Sequence, residues 1–169
     1  MLLKITTAME TKKAIFEILG QLTDPEIPVL TLTDLGVLRD VALLDNGQVE
    51  VQITPTYTGC PAMDTIAVNI REILHENGYQ DVVVRTVLSP AWTTDWLSEE
   101  GKQKLKAYGI APPVGSADKN ALLGRAPSVQ CPQCDSLNTR LISQFGSTAC
   151  KALYRCEDCL EPFDYFKCH

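Results

Sequence analysis

Six of the chain's seven cysteines lie after residue 130, and four of them are paired as Cys131-x2-Cys134 and, 21 residues further on, Cys156-x2-Cys159. Two residues between thiols let one tight turn present both sulfurs to the same point. Two such turns complete a tetrahedral shell with metal–sulfur bonds of about 2.3 Å. The pattern predicts a structural zinc site with Cys131, Cys134, Cys156 and Cys159 as its ligands. Four thiolates also suit a rubredoxin-like or clustered iron site, and redox dithiols are a third reading. A module of about 40 residues buries too little apolar surface to fold well alone, so the metal must supply much of its stability.

The seventh cysteine, Cys60, stands directly before Pro61. Proline is favoured at the first helical position, which makes Cys60 the expected N-cap of a helix. The helix macrodipole and the free N–H groups there would stabilise a thiolate, although from spacing alone a cysteine that merely caps or packs is the plainer reading. Thr54, Thr56, Tyr57 and Thr58 surround it with hydroxyls, and Gly59 gives backbone freedom. Asp24 and Glu26 flank Pro25 on a turn; such a pair can bind a metal or trade protons, although as a bare pattern it reads as a solvated acidic turn. Cys150 and the pair Cys168-His169 could add metal ligands, but Cys150 reads more plainly as a buried strand residue and Cys168-His169 as a tail. His75 falls in a charged helix end and gives no triad. No phosphate-binding loop or dinucleotide motif is present.

The elements that must position these groups follow from periodicity. Residues 11–22 predict a helix with Ala14, Ile15, Ile18, Leu19 and Leu22 as its apolar stripe, ended at Asp24-Pro25. Residues 37–44 and 48–54 predict a hairpin about Asp45-Asn46-Gly47. Residues 60–77 predict a second helix that buries Met63, Ile66, Ala67, Ile70, Ile73 and Leu74 and stops at Gly78. Residues 80–88 predict a buried strand, and 98–108 a short helix starting at Ser98. The Pro- and Gly-bearing stretch 109–127 predicts a linker. The expected architecture is α+β: a small α/β domain over residues 8–108 with a mixed sheet and two main helices, then the linker, then a β zinc ribbon over 128–169.

The length of 169 residues allows one domain of about 100 residues and a small second module. A formal charge of −6 disfavours non-specific nucleic-acid binding. The ribbon segment 128–169 carries four Lys/Arg against five Asp/Glu, a net of −1, and four thiolates add to that acidity. A zinc-ribbon transcription regulator would need a basic face that is missing here. No apolar run reaches the roughly 20 residues needed to span a bilayer, and the first ten residues lack the order of a signal peptide. The expectation is a cytoplasmic protein, where reduced thiols bind metal more often than they form disulfides.

Several motifs together resemble a known family. Asp24-Pro25-Glu26-Ile27-Pro28, Asp34-Leu35-Gly36, Thr54 through Pro61, Pro90 through Trp96, and the tail motifs at 145–150 and 161–168 are similar to the PaaD family of the bacterial phenylacetyl-CoA epoxidase system. The N-terminal part alone resembles the wider SufT-type iron–sulfur assembly factors. The resemblance implies an accessory role beside a di-iron oxygenase and an iron–sulfur flavin reductase, with no catalysis of its own. It implies that Cys60 is the functional thiol, with Asp24 and Glu26 matching the family's acidic motif. A Cys60 thiolate aided by Asp24 and Glu26 would hold iron or a cluster transiently while the ribbon docks the client. The competing expectation is a non-catalytic structural subunit of the oxygenase complex.

Overall fold

A computed structural model describes residues 2–114 and 128–167, with side chains from residue 10 onward. The chain divides into two compact units, Met1–Trp92 and Thr93–His169.

In the first unit α1 (Leu2–Leu19) precedes a hairpin of β1 (Leu38–Leu43) and β2 (Val49–Ile53). Val41 faces Val51 across the antiparallel pair, and Gly47 takes the left-handed conformation the turn requires (φ 87°). Helix α2 (Ala62–Glu76) then crosses over to β3 (Val82–Thr86), which pairs parallel with β2. Strand order is β1-β2-β3. Val41, Val49, Val51 and Ile53 of the sheet, Ile15 and Leu19 of α1, and Ile66, Ile70 and Leu74 of α2 are all buried. Helices α1 and α2 pack on each other, α1 against β1 and α2 against β3.

Three expectations shift here. Helix α1 begins at Leu2 and ends at Leu19, because the chain tightens at Gly20–Leu22, where the Leu22 N–H reaches back only to the Leu19 carbonyl (3.1 Å). Ala14 of the expected stripe is exposed, and Leu22 is half-buried. Strand β3 is not buried: it is an edge strand of the sheet, and Val82, Val83 and Val84 are each half-exposed. Helix α2 buries Ala62, Ile66, Ile70 and Leu74, one per turn, and leaves Met63, Ala67 and Ile73 at the margin.

In the second unit α3 (Glu99–Tyr108) is capped by Ser98, whose hydroxyl accepts the Gly101 N–H (2.8 Å), and it ends at Gly109 with φ 89°. Strand β4 (Ile110–Ala111) follows at once and pairs parallel with β7 (Pro162–Phe166). Together with β5 (Thr139–Ser143) and β6 (Lys151–Cys156) they form one sheet in the order β4-β7-β6-β5. Its core gathers Ala111, Val129, Ala152, Tyr154, Phe163 and Tyr165, with Tyr154 edge-on to Tyr165 (5.5 Å between ring centres). The compact division thus falls ahead of α3, not after it, and the stretch expected as linker opens with a strand. The rest of that stretch, 115–127, lies outside the described residues. Among the described residues no helix is long and apolar enough to cross a membrane.

Candidate functional site

The two Cys-x-x-Cys segments form facing knuckles at one end of the β5–β6–β7 ribbon. In the first, the Cys131 N–H donates to the Ser136 carbonyl (2.9 Å) and the Asp135 N–H to the Cys131 carbonyl (3.0 Å). In the second, at the β6–β7 turn, the Cys156 N–H donates to the Glu161 carbonyl (3.0 Å) and the Cys159 N–H points at the Cys156 sulfur (3.5 Å). The residue after each second cysteine, Asp135 and Leu160, is left-handed, with φ of 60° and 67°. Asp158 ties the knuckles together by accepting from the Ser136 hydroxyl (2.5 Å) and the Asn138 amide (2.7 Å).

All four sulfurs lie within 4.8 Å of one another, with Cys131–Cys159 at 3.7 Å and Cys134–Cys156 at 3.6 Å. A tetrahedral four-thiolate shell with bonds of about 2.3 Å has edges of about 3.8 Å, so the donor set fits zinc or iron. Thiol energetics agree with that fit. Cys156 is drawn down to about 7 by the Cys159 N–H, against its burial and with help from the Asp158 N–H and the Cys134 thiol. For Cys134 the Ser136 N–H pulls downward, but burial and the neighbouring thiols outweigh it and push Cys134 up to about 12. Four adjacent sulfurs cannot all ionise without a cation between them.

Cys60 is half-buried at the foot of α2. The Ala62 N–H reaches the Cys60 sulfur as a capping contact would, while Pro61, already helical at φ −69° and ψ −21°, offers no side-chain cap. The helix start nevertheless does not make Cys60 a thiolate. Burial pushes its thiol upward, more than the Ala62 N–H and the Tyr57 hydroxyl pull it down, and the charges of Glu26 and Asp24 push it higher still. The two carboxylates, distant in sequence, therefore do act on this thiol, but with the opposite sign from that expected.

Asp24 is buried rather than solvated, and its Oδ1 accepts the N–H groups of Glu26 and Ile27, both at 2.8 Å. It shapes the turn that carries Glu26, which is half-buried. The next loop is fixed by Asp34, whose carboxylate accepts from the Thr31 N–H (3.0 Å) and hydroxyl (2.8 Å). Trp92 closes it from the far side, its indole N–H donating to the Leu35 carbonyl (2.7 Å). Thr54, one of the expected hydroxyls, is wholly buried and bonded to the Val87 carbonyl (2.9 Å), so it secures the loop leading to Cys60. Tyr57 is the hydroxyl that reaches the thiol.

Cys150 is buried, as expected, but in the turn before β6 and apart from the four-cysteine cluster, with its sulfur 3.0 Å from the Thr148 hydroxyl. His75 is exposed in the last turn of α2. Cys168 and His169 lie outside the described residues. The knuckle residues Ser136, Asn138 and Asp158 gave no sequence signal beyond turn-forming composition.

Residues 12–84 match the family model described as "Iron-sulfur cluster assembly protein", and residues 115–167 match that of the "PaaD zinc beta ribbon domain". A protein of Escherichia coli (strain K12), provisionally named as a subunit of 1,2-phenylacetyl-CoA epoxidase, is 53% identical over 154 residues, 91% of each chain. A protein of Porphyromonas gingivalis named Fe-S protein maturation auxiliary factor is 34% identical over 98 residues, 57% of this chain and 92% of that one. The crystal structure of a DUF59 domain from Bacillus anthracis shares the fold, with a TM-score of 0.56 at 23% identity, over 60% of this chain and 96% of that one. The chain belongs to the PaaD family, with an iron–sulfur cluster assembly domain followed by a zinc β-ribbon.

Proposed function

We propose that the protein is an accessory maturation factor of the phenylacetyl-CoA epoxidase system in phenylacetate breakdown, assisting iron or iron–sulfur insertion into a component and catalysing nothing itself. What supports this reading is that the charges of Glu26 and Asp24 bear on the half-buried Cys60, within a unit similar to iron–sulfur cluster assembly proteins. Iron is the cargo. Burial and two acidic neighbours keep the Cys60 thiol protonated in the unloaded protein. A cation reverses that balance: the carboxylate field attracts it, the S–H proton leaves to solvent, and the sulfur takes up the metal. Glu26 shares the cargo, while Asp24, committed to two backbone N–H groups, holds the turn in place. One thiolate and one carboxylate form a sparse shell, which suits cargo held briefly and passed on.

Cys131, Cys134, Cys156 and Cys159 hold a structural zinc ion, which supplies folding free energy to the ribbon and takes part in no transfer step. The partners are the di-iron oxygenase or the iron–sulfur flavin reductase of the epoxidase, in the cytoplasm, with the ribbon docking the client. The word "subunit" in the Escherichia coli relative's name favours a second reading, a non-catalytic structural subunit of the oxygenase complex. Stable stoichiometric co-purification with the oxygenase would support that second reading, and transient contact would count against it.

The test is phenylacetyl-CoA epoxidation in cells that carry either the wild-type protein, Cys60→Ser or neither. At equal protein levels Cys60→Ser is expected to do no better than the empty control. Wild-type epoxidation with Cys60→Ser would end the proposed mechanism.

A further inference from the structure

The accessory role leaves open which surface of the ribbon meets the client, and the metal knuckles carry a feature that metal binding does not explain. Leu137 and Leu160 stand on the two knuckles with 64% and 58% of their surface exposed. Leu160 moreover holds φ 67°, a conformation that glycine or a locally bonded Asp or Asn adopts readily and leucine does not. The matching position of the first knuckle is Asp135, a residue type suited to it. A leucine that is strained, exposed and outside the ribbon's core cluster gains little for the fold by being leucine.

Charge defines what covers these side chains. Residues 130–138 and 156–162 contain Asp135, Glu157, Asp158 and Glu161 and no Lys or Arg. Asp135 is paired with Lys106 and Glu157 with Arg140, both at 2.5 Å. Among the described residues Asp158 is held by the neutral Ser136 and Asn138 donors, so its charge is oriented but not balanced by them. Glu161 is exposed. Four thiolates around one divalent ion add further negative charge. Two apolar knobs inside an acidic rim fit a protein surface with an apolar pocket ringed by Lys and Arg, and they repel a nucleic-acid backbone.

We propose that this knuckle end is the docking surface of the ribbon, with Leu160 and Leu137 as its anchors and a basic-rimmed apolar pocket on the client as its partner. The proposal rests on the accessory reading above and names the surface through which it works. Leu160→Gly makes a discriminating variant, because glycine suits φ 67° and leaves the knuckle and its ligands intact. The full-length zinc-loaded protein is titrated with the purified oxygenase and, separately, with the purified reductase, at low and high salt.

Expected is binding to one component that weakens with salt and weakens about tenfold or more in Leu160→Gly and in Leu137→Ser, at unchanged zinc content. Wild-type binding that neither variant weakens overturns the docking surface and leaves the accessory role standing. Wild-type binding to neither component overturns both. Tight binding of a DNA duplex that Leu160→Gly abolishes would reassign the surface to nucleic acid and overturn the protein partner.

Discussion

At the scale of single residues, the two acids of the Asp24-Pro25-Glu26 turn have separate tasks. Asp24 is structural: alanine there strands the Glu26 and Ile27 N–H groups, and Asp24→Ala is expected to destabilise the protein by about 1–3 kcal/mol in chemical denaturation. Glu26→Ala should fall within about 0.5 kcal/mol of wild type. Equal losses in the two variants would contradict this division. For Cys60 the direction of the shift sets the pH behaviour. Its pKa is raised by burial and then by the two carboxylates, so the protonated thiol dominates at neutral pH and the thiolate appears only as pH rises past the ordinary thiol value of about 8.5. Alkylation of Cys60, followed peptide by peptide, should therefore climb steeply above that pH. The curve should move to lower pH in Glu26→Gln and in Asp24→Asn, which each remove a negative charge. A plateau already reached at pH 7 would contradict the account.

At the scale of elements, the hairpin, α2 and α3 were legible because each carries its own punctuation. Asp45-Asn46-Gly47 sets the turn, Gly78 stops α2, and Ser98 with Gly109 brackets α3. What sequence could not reveal was tertiary. A run of valines reads the same whether its strand is central or at the edge, and only the pairing order puts β3 outside. Two residues make β4, too few for any periodicity, and their place depends on β7. For Cys60 the residues around it mark a helix start, yet the sign of its pKa shift depends on burial and on two acids distant in sequence. The motif at 145–150 now has a packing reason as well. A Cβ on Gly146 would sit 2.7 Å from the Asp164 carboxylate, which Ser147 bonds (3.2 Å) and the buried Lys151 faces (3.5 Å). Gly146→Ala should destabilise the ribbon by about 1–3 kcal/mol in thermal unfolding, and a neutral result would show that the carboxylate moves aside freely.

At the scale of the whole molecule, a unit with a continuous apolar interior is joined to one whose small sheet closes on four thiols. Their dependence on metal should differ accordingly. Chelation of zinc is expected to abolish hydrogen-exchange protection in β5, β6 and β7 while β1 and β2 keep theirs. Protection retained in the ribbon after complete metal removal would contradict a folding role for the ion. The central claim concerns Cys60 and iron, and one measurement addresses it most directly: the iron content of the oxygenase and of the reductase, each co-expressed with wild-type protein, with Cys60→Ser, or with neither. The account predicts that one component loses iron alike with Cys60→Ser and in the empty control, which also identifies the client. Full iron in both components under every condition would contradict maturation and leave the structural-subunit reading in its place.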